Sequence, residues 1–146
     1  KTSASNGLRL DLTYMTLNGK IIDARELEQG TDFMAKVTLT NTGTKDYQEM
    51  VLNQVFPSGW EILSSRLDGN ATKGDRFDYQ DTRDDRVYTF FTLPSNKSLT
   101  FYVMLNAAYQ GRYWHPSTTS EAMYDNKINA RVGGDYVNIT APGSGG

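Results

Sequence analysis

Residues 87–109 read VYTFFTLPSNKSLTFYVMLNAAY. Two runs within them, VYTFFTL at 87–93 and LTFYVMLNAAY at 99–109, are β-branched and aromatic on both faces and are parted by Pro94, Ser95 and Asn96. Two-sided runs of this kind belong to interior strands, or to a strand whose outer face meets a partner. They set the expectation of an all-β chain.

The segments upstream agree with it. Leu8, Leu10 and Leu12 alternate with Arg9, Asp11 and Thr13 at the period of a half-buried strand, and Asn18-Gly19 is a turn signal. Ile21, Ile22 and the polar run 23–32 read as a connection that ends in a turn at Gly30. FMAKVTLTN at 33–41 places Val37 and Leu39 on one face and stops at Asn41, Thr42 and Gly43. EMVLNQVF at 49–56 is closed by Pro57-Ser58-Gly59, and Trp60, Ile62 and Leu63 open the next apolar segment across a tight corner. Residues 67–73 read as loop and 75–86 as a polar hairpin carrying Phe77 and Tyr79.

Downstream, YVNIT at 136–140 follows the Gly133-Gly134 turn. Seven or eight short strands, with turn signals roughly every 8–12 residues, predict an antiparallel β-sandwich. One helical signal stands against this pattern: Thr118-Thr119-Ser120-Glu121 has the form of a capping box ahead of Ala122, Met123 and Tyr124. It predicts one short helical turn docked on the sandwich, with its outward side chains exposed. The expected division is a disordered lead-in at 1–7, one sandwich domain at 8–140, and a flexible or appended linker at 141–146.

Composition narrows the function. The chain has 146 residues, enough to bury roughly two-thirds of its extended surface. Fifteen Lys and Arg against 17 Asp and Glu leave a net charge of -2 with no long single-sign block, which disfavours nucleic acid as a partner. No run approaches the roughly 18 apolar residues that a membrane-spanning helix needs. The absence of cysteine excludes disulfides, thiolate catalysis and any thioester formed by this chain itself.

The acidic series Asp75, Asp78, Asp81, Asp84 and Asp85 lacks the alternate-residue spacing of a calcium loop, and Arg76, Arg83 and Arg86 are interleaved as ready partners. It reads as a self-paired hairpin rather than a metal site. His115 with Ser117 or Ser120 raises a hydrolytic reading, but no nucleophile elbow or other catalytic context accompanies it. The expectation is a chain that is not an enzyme and holds no metal or cofactor. Trp60, Phe90, Phe91 and Phe101 are assigned to the core or to sheet edges, whereas Trp114, Tyr113 and Tyr124 stand in the irregular stretch 111–131 as candidates for contact with a sugar face or a protein. Three Asn-x-Ser/Thr acceptors begin at Asn70, Asn96 and Asn138.

Several segments together resemble the C-terminal macroglobulin-like domain of bacterial alpha-2-macroglobulins: residues 56–62 (FPSGWEI), Asp84-Asp85-Arg86-Val87, Phe101-Tyr102-Val103 leading to Asn106-Ala107-Ala108, and Glu121-Ala122-Met123-Tyr124-Asp125. The resemblance runs from about Leu8 to Ile139 and departs from the family's habit at Asn106, Gln110 and Asn126. It implies a large periplasmic or envelope-associated parent, with a lipoprotein among the options, that traps proteases. A separate domain of such a parent carries a Cys-Gln thioester. This domain would then pack against the thioester and macroglobulin-like domains of the same polypeptide and meet proteases only indirectly. Shielding of the thioester falls on Met123 and Tyr124, supported by Glu121, with Trp114 and His115 as further interdomain contacts. The alternative reading is a free-standing extracellular β-sandwich module that binds carbohydrate or protein.

Overall fold

The computed structural model describes residues 2–5, 7–67 and 77–143. It contains no helix among them. The central strand is β4 (Asp32–Asn41), flanked by β2 (Leu8–Met15) and β9 (Ser98–Ala107), with β1 (Thr2–Ser5) and β6 (Trp60–Leu67) at the edges of an antiparallel five-stranded sheet. A second five-stranded sheet has the order β12 (Asp125–Val132), β11 (Thr118–Ala122), β5 (Tyr47–Val55), β8 (Arg86–Leu93) and β7 (Phe77–Thr82). The third is small: β10 (Gly111–His115), β13 (Asp135–Thr140) and β3 (Glu26–Glu28).

The period-two pattern decides which side chains enter the core. In β8, Val87, Thr89, Phe91 and Leu93 are buried, and in β9 Leu99, Phe101, Val103 and Leu105 are. Phe91 and Phe101, from the two large sheets, meet with ring centroids 5.5 Å apart. Both strands are interior members of their sheets, as the two-sided runs predict. Their outer faces are only partly covered, so Phe90 stands half-buried on the outside while Trp60, Phe91 and Phe101 are in the core.

Four expectations are corrected. Thr118–Ala122 is a strand, not a helical turn: it pairs with β5 on one side and β12 on the other. Its β-branched threonines suit the sheet, and a single isolated turn of helix would have no comparable set of backbone partners. Met123 and Tyr124 accordingly form the turn between β11 and β12, because Ala122 pairs with Asp125. Second, the lead-in is not disordered over 2–5, because Thr2–Ser5 pairs with β2 from Thr2 opposite Asp11 to Ser5 opposite Leu8. A sheet edge offers unpaired backbone groups, so a segment without apolar alternation can add there. Third, the polar connection contains β3, which runs parallel to β13 with Leu27 opposite Ile139. Fourth, the strands number thirteen among the described residues rather than seven or eight, since short edge strands carry little periodicity.

The polar hairpin is present, and two of its expected arginines are paired: Arg83 with Asp81 at 3.1 Å and Arg86 with Asp85 at 3.0 Å, while Arg76 lies outside the described residues. Arg86 holds the Asp85 carboxyl below the usual carboxylate range. Asp75 and the acceptor at Asn70 lie outside the described residues.

Candidate functional site

Alternation along β10 sends adjacent residues to opposite sides. His115 is 6% exposed and Trp114 is 52% exposed. His115 therefore enters the interior, where its Nε2 lies 3.1 Å from the Tyr14 hydroxyl of β2, 101 residues away in sequence. The imidazole is stacked at 17° on Phe56, 6.3 Å between centroids, and lies 5.1 Å from the Trp60 ring. Trp60 in turn meets Tyr14 and Phe33 edge to face at 5.6 and 4.9 Å. These rings join the small sheet to the large one. Tyr14 is only partly buried as a residue, but its hydroxyl sits within the ring cluster, and loss of water there pushes its pKa far above the usual phenol value.

Ser120 and His115 are engaged separately. The Ser120 hydroxyl of β11 donates to the Val51 carbonyl at 2.9 Å, and the His115 Nε2 is engaged by a phenol. No group of three or more His, Cys, Asp or Glu side chains able to hold a metal occurs among the described residues. Beside the cluster lies a cleft of about 520 Å³ lined by Leu12, Ile22, Trp60 and Val137, with Arg25 and Asp135 at 3.8 Å from one another in its wall.

Two other features face solvent. On the outer side of the small sheet, Trp114 pairs with Tyr136 across the strands, their ring centroids 5.1 Å apart at 69°. The Arg112 guanidinium lies 4.3 Å over the Tyr136 ring, within cation–π range. Tyr113, the other aromatic of this stretch, is half-buried: its ring packs over Gly59 and its hydroxyl donates to the Gln110 carbonyl at 2.8 Å. The second feature is the tip of the β11–β12 hairpin, where Met123 is 62% exposed and Tyr124 54% exposed. Two large apolar side chains thus stand mostly exposed, side by side, on one turn.

Glu121 is exposed on β11 opposite Val51 and Asn129, one residue from the turn's first strand partner. The five residues expected to form a contact site therefore divide. Glu121, Met123 and Tyr124 share the hairpin of one large sheet, Trp114 belongs to the outer face of the small sheet, and His115 is interior. Sequence reasoning missed Tyr14, Arg112 and Tyr136. Tyr14 continues the parity of Leu8, Leu10 and Leu12, a signal that was there to be extended.

Facing five-stranded sheets over one apolar core, a small third sheet at the end, and an exposed hairpin tip define a macroglobulin-like β-sandwich. The model of the bacterial alpha-2-macroglobulin MG10 domain matches residues 7–126, and the chain belongs to that family. Alpha-2-macroglobulin of Rickettsia conorii is 27% identical in an alignment of 125 residues that covers 82% of this chain and 6% of that protein. A Salmonella alpha-2-macroglobulin mutant superposes with a TM-score of 0.82 at 18% identity, covering 94% of this chain and 9% of its own. Native Escherichia coli alpha-2-macroglobulin, in a structure spanning domain MG7 to the C-terminus, gives 0.81 at 17% identity over 94% of this chain and 24% of its own. The chain thus spans a small fraction of each relative's length.

Proposed function

We propose that this chain is a non-catalytic domain in the C-terminal part of an alpha-2-macroglobulin-like protease trap of the periplasm or cell envelope, and that its Met123–Tyr124 tip docks on the neighbouring thioester domain and shields the bond. The observation that carries the reading is the exposure of those two side chains on a hairpin turn that the sheet itself does not need. Family membership supports the trap, and the Escherichia coli relative spanning MG7 to the C-terminus supports the late position. A thioester persists only while water and amines are kept away, and a thioether beside an aromatic ring makes a compact apolar cover. No helix among the described residues is long and apolar enough to cross a membrane.

The test is amine inactivation of the thioester in the parent protein. Met123→Gly and Tyr124→Ala should each accelerate it. If neither rate rises, the shielding role is lost.

A second reading rests on Trp114 and Tyr136. Half-exposed rings flanked by Arg112 can stack on a sugar face or anchor a protein. Titration of this chain with soluble oligosaccharides, followed through Trp114 fluorescence and repeated with Trp114→Ala, decides whether the patch takes carbohydrate.

A further inference from the structure

The strand next to the tip carries an irregularity. Between Tyr47 and Met50 the β5 register slips against β8: Tyr47 faces Leu93 and Met50 faces Phe91, so Gln48 and Glu49 together oppose the single residue Thr92. That is a β-bulge, and Glu49 within it has a φ of 53°, a left-handed conformation in which glycine is the usual occupant. The Glu49 carbonyl accepts the Met123 N–H at 2.9 Å. It is the backbone bond that continues the β5–β11 ladder past the Ala122–Met50 pair and into the turn.

The Ala122–Asp125 pair closes the turn itself. Beyond Ala122–Asp125 the β12 register jumps, with Glu121 opposite Asn129. On the far side the Asp125 carboxylate caps the Lys127 N–H at 3.0 Å.

We infer that Glu49 is a positioning residue for the exposed tip: its left-handed backbone turns the carbonyl onto the Met123 amide and presets where Met123 and Tyr124 stand. The inference rests on the shielding role proposed above for its functional consequence, though not for its geometry. A rigidly held tip loses little freedom on docking, and a loosened one loses contact with its partner surface. The backbone conformation of Glu49, not its carboxylate, is the active feature.

Three substitutions separate these. Glu49→Gly and Glu49→Asn accept the left-handed region, whereas Glu49→Val resists it. Hydrogen exchange of the Met123 amide in this chain should remain slow in the Gly and Asn variants and accelerate roughly tenfold in the Val variant, in keeping with the cost of left-handed backbone for a bulky residue. Amine inactivation of the parent should follow the same order. Glu49→Thr, also β-branched, takes the place of Val if that variant does not fold. Unchanged exchange in Val, or in Thr where it stands in, or equal acceleration in all variants, overturns the inference. Altered exchange with no change in amine inactivation by any tip variant sustains the positioning role and removes the shielding one. Faster inactivation in Met123→Gly with no response to Glu49→Val does the reverse.

Discussion

The Tyr113 ring lies directly on Gly59. A β-carbon at Gly59 would stand 2.6 Å from Tyr113 Cδ2 and 2.7 Å from Cζ, well inside van der Waals contact. The Pro57-Ser58-Gly59-Trp60 corner and the start of the small sheet are thereby locked together.

Gly59→Ala should therefore destabilise the chain by about 1–3 kcal/mol, the usual cost of overpacking a filled site. The ring must move, and with it the hydrogen bond from Tyr113 to the Gln110 carbonyl. A urea denaturation midpoint equal to that of the parent sequence would show the contact to be slack.

Asn41 joins three backbone groups from a fully buried position. Its Nδ2 donates to the Lys45 carbonyl at 2.7 Å and the Leu93 carbonyl at 2.9 Å, and its Oδ1 accepts the Gly43 N–H at 2.8 Å. Asn41→Ala should cost about 3 kcal/mol, since buried partners are left unpaired. Asn41→Asp should be worse at neutral pH and recover partly in acid, because an ionised carboxylate cannot donate to the two carbonyls. Thermal melts of both variants at pH 4 and pH 7 check the order.

Tyr14 makes stability sensitive to alkali. Its folded-state pKa is raised by burial above the unfolded value of about 10, so the neutral phenol is the form that folding favours. The contribution is complete below pH ~10 and declines as pH rises above it, by at most about 1.4 kcal/mol per unit. Chemical denaturation between pH 9 and 11 should show a steeper loss in the natural chain than in Tyr14→Phe. Parallel curves would contradict the assignment.

Removal of the tip side chains should leave the fold alone. Tyr124→Ala and Met123→Ala each remove a mostly exposed group and should shift stability by no more than about 0.5 kcal/mol. Calorimetry on this chain gives the control that any change in the parent's thioester chemistry requires.

Much of this was readable where side chains alternate. Leu8 to Leu12, Val37 and Leu39, and the runs at 87–93 and 99–109 are strands whose buried faces follow their parity. Short strands were not, because three residues such as Glu26–Glu28 hold one apolar side chain and no period. The Thr118–Glu121 capping box misled for a related reason: threonine and serine serve a helix start and a strand equally, and the neighbouring strands β5 and β12 made the choice. The Asn6-Gly7 pair ahead of β2 was a hairpin signal passed over. Met123 and Tyr124 were singled out correctly as outward-facing, although on a hairpin instead of a helix. His115 is interior because β10 extends to include it, which its own residue type could not announce.

The parallel pairing of β3 with β13 has a bearing on biogenesis. A ribosome delivers Leu27 more than a hundred residues before its partner Ile139, so the small sheet cannot close until nearly all of the strands are made. Until then Trp60 and Tyr14 lack the His115 side of their cluster, and the nascent chain carries an open aromatic end. Completion of the third sheet therefore waits on the last strand: without β13, neither β10 nor β3 has its partner in that sheet.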